Sequence, residues 1–387
     1  MRAQNTDDSR TLDSPGSYAE GMSGSDLELI PAGTEFTPEQ ITHYADPDTR
    51  SLEQAVLDAD VLVSAPHAGA AIPEEVAEFL SPALTRRLQY DFSDVSTAAV
   101  VVRWAEIDPR IVAVVNPHPR LIRDPNRAKP ADVRADLTAA LERVRAAGAW
   151  QPVDLTGVDA IRPVTFSFFP ILEVPGTDDG IARLVDAFAR TAEQGLGVYE
   201  RTRDALTEMF LANGLERGGS ITRLSFHDTM NTTTTREGAV SVARAERDML
   251  PDVVALSNRG DHRGEPRDPA DPPTMDGAAL RRLADAHRDG FEVADPGAVR
   301  LNQPYLGSQE ILAAGARFRA LAREAGEAGL GLGAVQAEFL REYLLGPEAT
   351  AQLRDPGSDW VDEDPARVDA LAHACKRAWD AFRDGGA

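Results

Sequence analysis

The stretch that decides the fold is Val61-Leu62-Val63-Ser64-Ala65-Pro66-His67-Ala68-Gly69, an apolar run that ends in a proline, a histidine and a glycine. A short, continuous apolar run of this kind is typical of a strand that is buried on both faces. In open α/β sheets, ligands bind in the crevice beyond the carboxyl ends of such strands, where His67 would lie. The segment alone leaves two interpretations open, because His67 is either a ligand-facing imidazole or a polar residue in an ordinary strand-to-helix turn.

Similar apolar runs occur four more times and predict strands at residues 111–115, 221–226, 253–256 and 332–336. Helical patterns lie between them, at residues 73–80, 93–106, 134–146, 180–189, 198–212, 277–288 and 308–325. Strands that alternate with helices favour an α/β fold of three layers. We therefore predict a mainly parallel or mixed central sheet with helices on both faces.

Three segments stand apart from this pattern. Residues 1–30 are polar, acidic and rich in Ser and Gly, so we expect a disordered tail before one α/β domain that spans residues 31–387. Residues 151–219 contain helices and the aromatic patch Phe166-Ser167-Phe168-Phe169-Pro170, and we predict a helical insertion or cap over the site. Residues 258–275 are charged and rich in proline, which predicts a long surface loop of the kind that often serves as a lid.

Composition excludes several classes of partner and compartment. The 387 residues carry 63 acidic against 40 basic side chains and a net charge of −23, which argues against nucleic acid and anionic membranes as partners. A single cysteine, Cys375, cannot form an intramolecular disulfide, and no apolar stretch approaches the roughly 18 residues of a membrane span. A cytoplasmic protein that binds a small molecule or another protein is the expectation.

Six polar clusters lie at or near the ends of predicted strands or in the turns that follow. Two histidines and one carboxylate are a common protein shell for catalytic zinc, and His67, His227 and one of Asp91 and Asp94 could supply it. The clusters are Pro66-His67-Ala68-Gly69, Asp91-Phe92-Ser93-Asp94, Arg120 with Arg123-Asp124-Pro125-Asn126-Arg127, Ser225-Phe226-His227-Asp228-Thr229, Asn302-Gln303-Pro304-Tyr305 and Gln336-Ala337-Glu338.

Several of these residues have other interpretations. His227 could be an ordinary buried histidine, and Asp94 could cap the helix that follows it. Asp228 could orient a neighbouring imidazole. Glu338 ends an apolar run and could act as a general base, or could simply begin a helix.

The arginines Arg120, Arg123 and Arg127 crowd into eight residues after a predicted strand. A guanidinium suits a substrate carboxylate or the oxyanion that forms when a carbonyl is attacked. A surface ion pair is the alternative, and it fits Arg123 best.

Taken in chain order, the clusters resemble the N-formylglutamate amidohydrolase family, whose fold resembles that of the zinc carboxypeptidases and aspartoacylases. The resemblance extends from about residue 61 to residue 345. Pro66-His67-Ala68-Gly69 is similar to the family's first zinc-ligand loop, and the residues around Asp94 resemble its "T-D" step. The later segments 120–127, 226–230, 302–307 and 336–338 resemble its "S-R…D-L-N-R", "D-x-H-S-M", "N-x-P-Y-x-G-G" and "Q-x-E" motifs.

This resemblance implies a zinc-exopeptidase or phosphorylase/hydrolase-like fold and a role for each matching residue. His67, Asp94 and His227 would hold zinc or another divalent metal, and Glu338 would move the proton of the attacking water. Arg120 would stabilise the oxyanion. Asn126 and Arg127 would hold a substrate carboxylate, and Asn302 and Tyr305 would also bind substrate.

The chain departs from the related carboxypeptidase pattern at Ala70, where a glutamate ligand usually stands three residues after the first histidine. The carboxylate ligand therefore comes from elsewhere, with Asp94 favoured and Asp91, Glu74 or Glu75 as alternatives. The resemblance implies hydrolysis of the amide of a small N-acyl amino acid. A zinc carboxypeptidase-like peptidase and a non-catalytic carboxylate-binding relative are the alternative functions.

Overall fold

The computed structural model describes residues 27–356 and 358–385, so most of the predicted tail at residues 1–30 lies outside the described residues. Within these residues the core is a seven-stranded mixed sheet. Its strands, in chain order, are β1 (Thr42–His43), β2 (Val61–Ala65), β3 (Ile111–Val115), β4 (Gly219–Thr229), β5 (Val254–Ser257), β6 (Val299–Leu301) and β7 (Leu330–Leu340).

The order of strands across the sheet is β6, β5, β7, β4, β2, β3, β1. The four central strands β7, β4, β2 and β3 run parallel to one another. At the two sides of this block, β5 pairs antiparallel with β7 and β1 pairs antiparallel with β3. The carboxyl ends of the four central strands consequently meet at one edge of the sheet.

Helices fill the connections between the strands. The α-helices are α1 (Pro38–Ile41), α2 (Leu52–Asp58), α3 (Arg86–Asp91), α4 (Thr97–Ile107), α5 (Val133–Ala147), α6 (Asp178–Gln194), α7 (Leu196–Arg217), α8 (Gly277–Gly290), α9 (Gln309–Ala320), α10 (Ala322–Ala328), α11 (Arg341–Leu345), α12 (Pro347–Leu353) and α13 (Pro365–Asp384). Short 3-10 helices occur at Glu74–Phe79, Glu246–Asp248 and Pro296–Ala298. Two small sheets lie beside the main one, where Leu29–Ile30 pairs with Ile72–Pro73 and Thr232–Thr234 pairs with Val240–Ala243.

Strand β2 is buried along its whole length because alternate side chains face two different helical layers. Val61 and Val63 pack with Trp104 of α4 in a cluster that also includes α8 and α13. Leu62 faces the opposite way and packs with Tyr199 of α7 in a cluster that includes α2 and α10. The three-layer α/β prediction is therefore confirmed, and the continuous apolar run reflects burial on both faces.

Side-chain caps define where several covering helices begin. Thr177 Oγ1 accepts a hydrogen bond from Gly180 N at the start of α6, and Asp276 Oδ1 accepts one from Ala279 N at the start of α8. Asp364 caps α13, and the helix begins with Pro365. Proline is favoured at the first position of a helix. Such caps stabilise a helix by about 1 kcal/mol each, so the local sequence fixes these helix starts.

The predicted strands are all present, with two differences from the prediction. Strands β1 and β6 escaped prediction because two or three residues are too short to show a period. Strands β4 and β7 each extend to eleven residues and include His227, Asp228 and Glu338. The prediction from apolar runs ended these two strands earlier, at residues 226 and 336. In the described residues no helix combines the length and apolar character that a membrane span requires.

The segment of residues 151–219, which we predicted as a helical insertion, contains α6 and α7. Helix α7 lies in the layer against the sheet, because its Tyr199 and Phe210 pack with Leu62 and Val112. Residues 152–177 precede α6 and carry Phe166 to the edge where the central strands end.

Candidate active site

The polar residues that follow or end the central strands converge at the carboxyl edge of the sheet. His67 lies two residues beyond β2, and Arg120 lies five residues beyond β3. His227 and Glu338 lie near the carboxyl ends of β4 and β7, where they are direct register partners in the parallel pair. The strand-end clusters that are separate in the sequence therefore form one site.

A glycine allows the loop that carries His67 to lie against the loop after β3. A Cβ atom on Gly69 would lie 2.3 Å from the carbonyl oxygen of Pro117, a distance that no side chain tolerates. Gly69 thus permits a close backbone contact, which is one of the main structural uses of glycine. Because of this contact, His67 lies beside the residues that follow β3, including Arg120 and Asp124.

His67, Asp94 and His227 form a buried cluster, and one donor atom from each lies within 4.8 Å of the others. Asp94 Oδ2 lies 2.9 Å from His227 Nδ1 and 3.5 Å from His67 Nδ1. The Asp94 carboxylate does not cap α4, since the helix begins at Thr97 after Ser96 and the side chain faces the two imidazoles. The structure thus brings together the three residues that we predicted as metal ligands.

The other nitrogen of each imidazole has its own partner. His67 Nε2 lies 2.6 Å from Asp124 Oδ1, and His227 Nε2 lies 2.9 Å from Ser225 Oγ. Histidine ligands in metal sites usually have such an outer partner, which fixes the orientation and tautomer of the ring. Asp124 and Ser225 therefore occupy the Nε2 side of their rings, while both Nδ1 atoms lie on the side of Asp94.

The charges of the cluster shift its pKa values strongly. Burial and the Arg120 cation oppose protonation of His67, but the carboxylates of Asp124 and Asp94 outweigh them and raise its pKa to about 9. Burial by itself would raise the pKa of Asp94, yet Arg120, His67 and His227 hold it well below the usual range. The pKa of Asp124 is likewise lowered, against its burial, by His67 and Arg120. The ionised carboxylates of Asp94 and Asp124 therefore stabilise a positive charge at His67.

Arg120 contacts two members of this cluster directly. Its Nη2 lies 2.7 Å from Asp94 Oδ1 and 2.7 Å from His67 Nδ1, and its side chain is nearly buried. Its Nε is buried without a hydrogen-bond partner among the described residues. The guanidinium thus lies beside the candidate metal ligands, as the predicted oxyanion-binding role requires.

The carboxylates that we considered as alternatives to Asp94 lie away from the two histidines. Asp91 Oδ2 accepts hydrogen bonds from the amide and hydroxyl of Ser167. Glu74 and Glu75 accept hydrogen bonds from the backbone amides of residues 32 and 33. Among the described residues, Asp94 is therefore the carboxylate that joins the two histidines.

Asp228 does not orient His227, contrary to the expectation from its position. Neighbouring side chains of a strand point to opposite faces of the sheet, so Asp228 lies on the other side of β4 from His227. Its carboxylate accepts hydrogen bonds from Arg341 Nε and Thr97 Oγ1 and is fully buried. Asp228 holds the surrounding elements together instead.

Glu338 lies at the end of β7 and is 6% exposed. Its Oε1 accepts a hydrogen bond of 2.6 Å from Thr229 Oγ1, and its Oε2 accepts one of 2.8 Å from Gln336 Nε2. A carboxylate has about four acceptor sites, so capacity remains for a water molecule or a substrate. Glu338 faces the same cavity as His67 and His227.

A cavity of about 540 Å³ opens at this edge of the sheet, within the range of small-molecule sites. Asn126 Oδ1 and Gln336 Oε1 are buried there without hydrogen-bond partners among the described residues. The loop at residues 258–275 is present but does not line the cavity. The lining residues are His67, Arg120, Asp124, Asn126, Arg127, Arg162, Phe166, Phe168, His227, Thr229, Thr233, Arg244, Ala245, Asp248, Tyr305, Gly307, Ser308, Gln336 and Glu338.

The predicted substrate-binding residues differ in where they lie. Asn126, Arg127 and Tyr305 line the cavity, and Arg127 also forms an exposed ion pair with Asp159 at 2.6 Å. Asn302 is not among the lining residues. Its side chain is buried against Asn258 and the backbone of residue 261, where it holds two loops together.

Several residues of the site escaped the prediction from sequence. Arg162, Phe166 and Arg244 line the cavity, and Asp124 holds His67. Phe166 belongs to the aromatic patch and Asp124 to the arginine cluster, so a signal existed for both. Arg162 lies in a loop, and Arg244 directly follows the short strand Val240–Ala243 of a small side sheet; no sequence pattern indicates either residue. Arg123 forms the expected ion pair, with Glu200 at 2.6 Å, although both side chains are largely buried.

The chain was compared with known proteins. The model of the family described as N-formylglutamate amidohydrolase matches residues 59–345. The chain is also similar to a solved structure described as N-formylglutamate amidohydrolase from Ralstonia eutropha JMP134, with 17% sequence identity and a TM-score of 0.51. That similarity covers 89% of this chain and 98% of the other and concerns the fold. No curated protein matched.

Proposed function

The chain belongs to the N-formylglutamate amidohydrolase family and is an amidohydrolase, and we propose on this basis that a divalent metal assists its reaction. The proposed substrate is a small N-acyl amino acid of the N-formylglutamate type, with the acyl amide as the bond that is cleaved. The observation that carries the proposal is the cluster of His67, Asp94 and His227, whose two histidines line the same cavity as Glu338.

The donor set of the cluster fits a divalent metal such as zinc. Two imidazoles and a carboxylate are a common shell for catalytic zinc, and metal bonds of about 2.0–2.1 Å in a tetrahedral site place donors about 3.3 Å apart. The donor separations of 2.9 and 3.5 Å from Asp94 Oδ2 agree with that spacing. When bound, the metal would polarise the acyl carbonyl and lower the pKa of the attacking water.

Glu338 is the proposed general base and general acid. Its carboxylate accepts a proton from the water as the water oxygen forms a bond with the acyl carbon. When the carbon–nitrogen bond breaks, Glu338 returns that proton to the departing amine, so the products are a carboxylic acid and a free amino acid. The hydrogen bonds from Thr229 and Gln336 hold the carboxylate in one orientation during both transfers.

Arg120 and the loop that follows it provide the remaining roles. The guanidinium of Arg120 would stabilise the negative charge that develops on the carbonyl oxygen. The side chains of Asn126 and Arg127 would bind the α-carboxylate of the substrate, with the Tyr305 hydroxyl nearby in the same cavity. The exposed ion pair between Arg127 and Asp159 is worth about 0–1 kcal/mol, so a substrate carboxylate can replace it at little cost.

The proposed compartment is the cytoplasm. The single cysteine, Cys375, is buried in α13 and free of disulfides, which suits a reducing environment. A small-molecule substrate is also consistent with the strong negative charge of the chain, because the local arginines attract an anion at close range.

Formate release from N-formyl-L-glutamate tests the proposal. We expect the wild type to release formate and Glu338→Gln to lower kcat by about 10²- to 10⁴-fold, because the amide cannot accept the proton. Glu348→Gln, an exposed substitution on α12, is the matched control and should keep wild-type kcat. A Glu338→Gln variant that keeps wild-type kcat would remove Glu338 from the mechanism.

A further inference from the structure

Three guanidinium groups surround the ring of Phe166 in the cavity. The Cζ atoms of Arg120 and Arg162 lie 5.0 Å from the ring centroid, and that of Arg244 lies 5.6 Å away. An aromatic ring attracts a cation to its face, so Phe166 holds these like charges closer together than they would otherwise stay. The ring thus organises a concentrated patch of positive charge.

The four arginines that line the cavity fall into two groups. Arg120 pairs with Asp94 and Arg127 pairs with Asp159, so the charge of each has a carboxylate partner. Arg162 and Arg244 have no carboxylate within ion-pair distance in the described part of the chain. Two cations of the cavity therefore form no direct ion pair with any of the described residues.

Arg162 is preorganised for a ligand. Its Nε donates a hydrogen bond of 3.0 Å to the Val164 carbonyl, and its Nη2 donates one of 3.3 Å to the Thr165 carbonyl. These bonds fix the Nε–Nη2 edge of the guanidinium and leave Nη1 without a partner among the described residues. Burial and the nearby Arg120 lower the pKa of Arg162 to about 10, although the more distant carboxylates of Asp124 and Asp91 partly oppose this.

Arg244 reaches the cavity from the segment after the small sheet of Thr232–Thr234 and Val240–Ala243. Its Nη1 donates a hydrogen bond of 2.7 Å to the hydroxyl of Tyr305, which also lines the cavity. The guanidinium has five donors, and this bond uses one of them. Arg244 therefore keeps free donors in the same cavity, beside the Phe166 ring that it shares with Arg162.

We propose that Arg162 and Arg244 form a second anion subsite that binds the side-chain carboxylate of the substrate. This assignment rests on the proposed function, in which Asn126 and Arg127 bind the α-carboxylate. Two separate carboxylate subsites select an N-acyl derivative of a dicarboxylic amino acid over one with a neutral side chain. A neutral side chain leaves the cations of Arg162 and Arg244 without a partner, which is costly in a partly buried site.

Steady-state kinetics of Arg162→Gln and Arg244→Gln with two substrates test the subsite. N-formyl-L-glutamine has nearly the shape of N-formyl-L-glutamate but lacks the second charge. We expect each variant to lose roughly 10- to 100-fold in kcat/KM for N-formyl-L-glutamate, the usual loss for a hydrogen bond to a charged group. The value for N-formyl-L-glutamine should stay within about threefold, since the neutral amide gains little from either cation.

Three further variants make the result specific. Arg127→Gln should lower kcat/KM for both substrates, because both carry the α-carboxylate. Phe166→Leu should weaken the preference for glutamate while both guanidiniums remain in the chain. Arg183→Gln, on the exposed face of α6, is the control for loss of an arginine as such and should change neither substrate.

Calorimetric binding of glutarate and its mono-amide provides a readout that does not need turnover. The wild type should bind glutarate more tightly, and Arg162→Gln and Arg244→Gln should abolish the difference. Equal losses for both kinetic substrates, or an unchanged preference for glutarate, would overturn the subsite. A wild type that hydrolyses no N-formyl amino acid refutes the proposed function separately, while the glutarate titration still decides the subsite.

Discussion

At the scale of single residues, the site depends on what each nitrogen of His67 contacts. Asp124 lies against Nε2, and Asp94 and Arg120 lie on the Nδ1 side. The sequence predicts a histidine at a strand end, but it does not predict which nitrogen faces the cluster. That choice follows from Asp124, which lies 57 residues away along the chain.

Asp124→Asn should weaken metal binding. The variant keeps an oxygen beside His67 Nε2 but removes the negative charge that makes the imidazole a stronger ligand. Loss of such an outer partner typically lowers metal affinity about 10- to 100-fold, and competition with a chelator of known affinity measures the change. Asp159→Asn, which removes a carboxylate from the exposed pair with Arg127, is the control. Equal metal affinity in the two variants would contradict the role of Asp124.

At the scale of elements, strand ends and buried ion pairs position the site. The last residues of β4 and β7 are in register, so His227 and Glu338 are neighbours by backbone pairing alone. Arg341, the first residue of α11, contacts Asp228 of β4 and the carbonyl of Ser93, next to the metal-ligand candidate Asp94. One buried guanidinium therefore links β4, α11 and the loop before α4.

Arg341→Met should destabilise the protein strongly. Burial raises the pKa of Asp228 even beside Arg341, so without this partner the buried carboxyl would either take up a proton or carry an uncompensated charge. Breaking such a buried pair costs about 3–5 kcal/mol. Chemical denaturation measures the free energy of unfolding, and Arg323→Met, whose side chain is 78% exposed, serves as the control. A loss below about 1 kcal/mol would mean that water or another group replaces Arg341.

The sequence predicts the elements and most of the site, and the failures have physical causes. Apolar runs reveal β2 and β3 because both faces of these strands are buried, whereas β1 and β6 are too short for any pattern. His67, His227 and Glu338 stand at strand ends, which topology brings together. Arg162 and Arg244 reach the cavity from loops, and only the folded chain places them there.

At the scale of the whole molecule, burial of neutral histidines links stability to pH. His287 lies in α8 among Phe291, Phe339 and Trp379, and its Nδ1 donates a hydrogen bond to the Leu283 carbonyl. Burial lowers the pKa of His287 to about 4. The unfolded chain binds a proton at a higher pH than the folded chain, so this histidine makes folding less favourable as the pH falls.

His287→Leu should remove this part of the pH dependence. The contribution of His287 is fully present above about pH 6.5 and is lost as the pH falls toward 4, because only the unfolded state gains the proton. From pH 7 to pH 4, the unfolding free energy of the wild type should fall by about 3 kcal/mol more than that of the variant. Urea denaturation at several pH values measures it, with His373→Gln on the exposed face of α13 as the control. A constant difference would contradict the account.

The central claim is that His67, Asp94 and His227 hold a divalent metal that the amide hydrolysis requires. The most direct test is the metal content of purified wild type, His67→Ala and His227→Ala, measured by mass spectrometry alongside formate release. We predict about one divalent ion per wild-type chain, and loss of both the ion and the activity in each variant. A wild type that releases formate at full rate without bound metal, or variants that keep the ion, would contradict the claim.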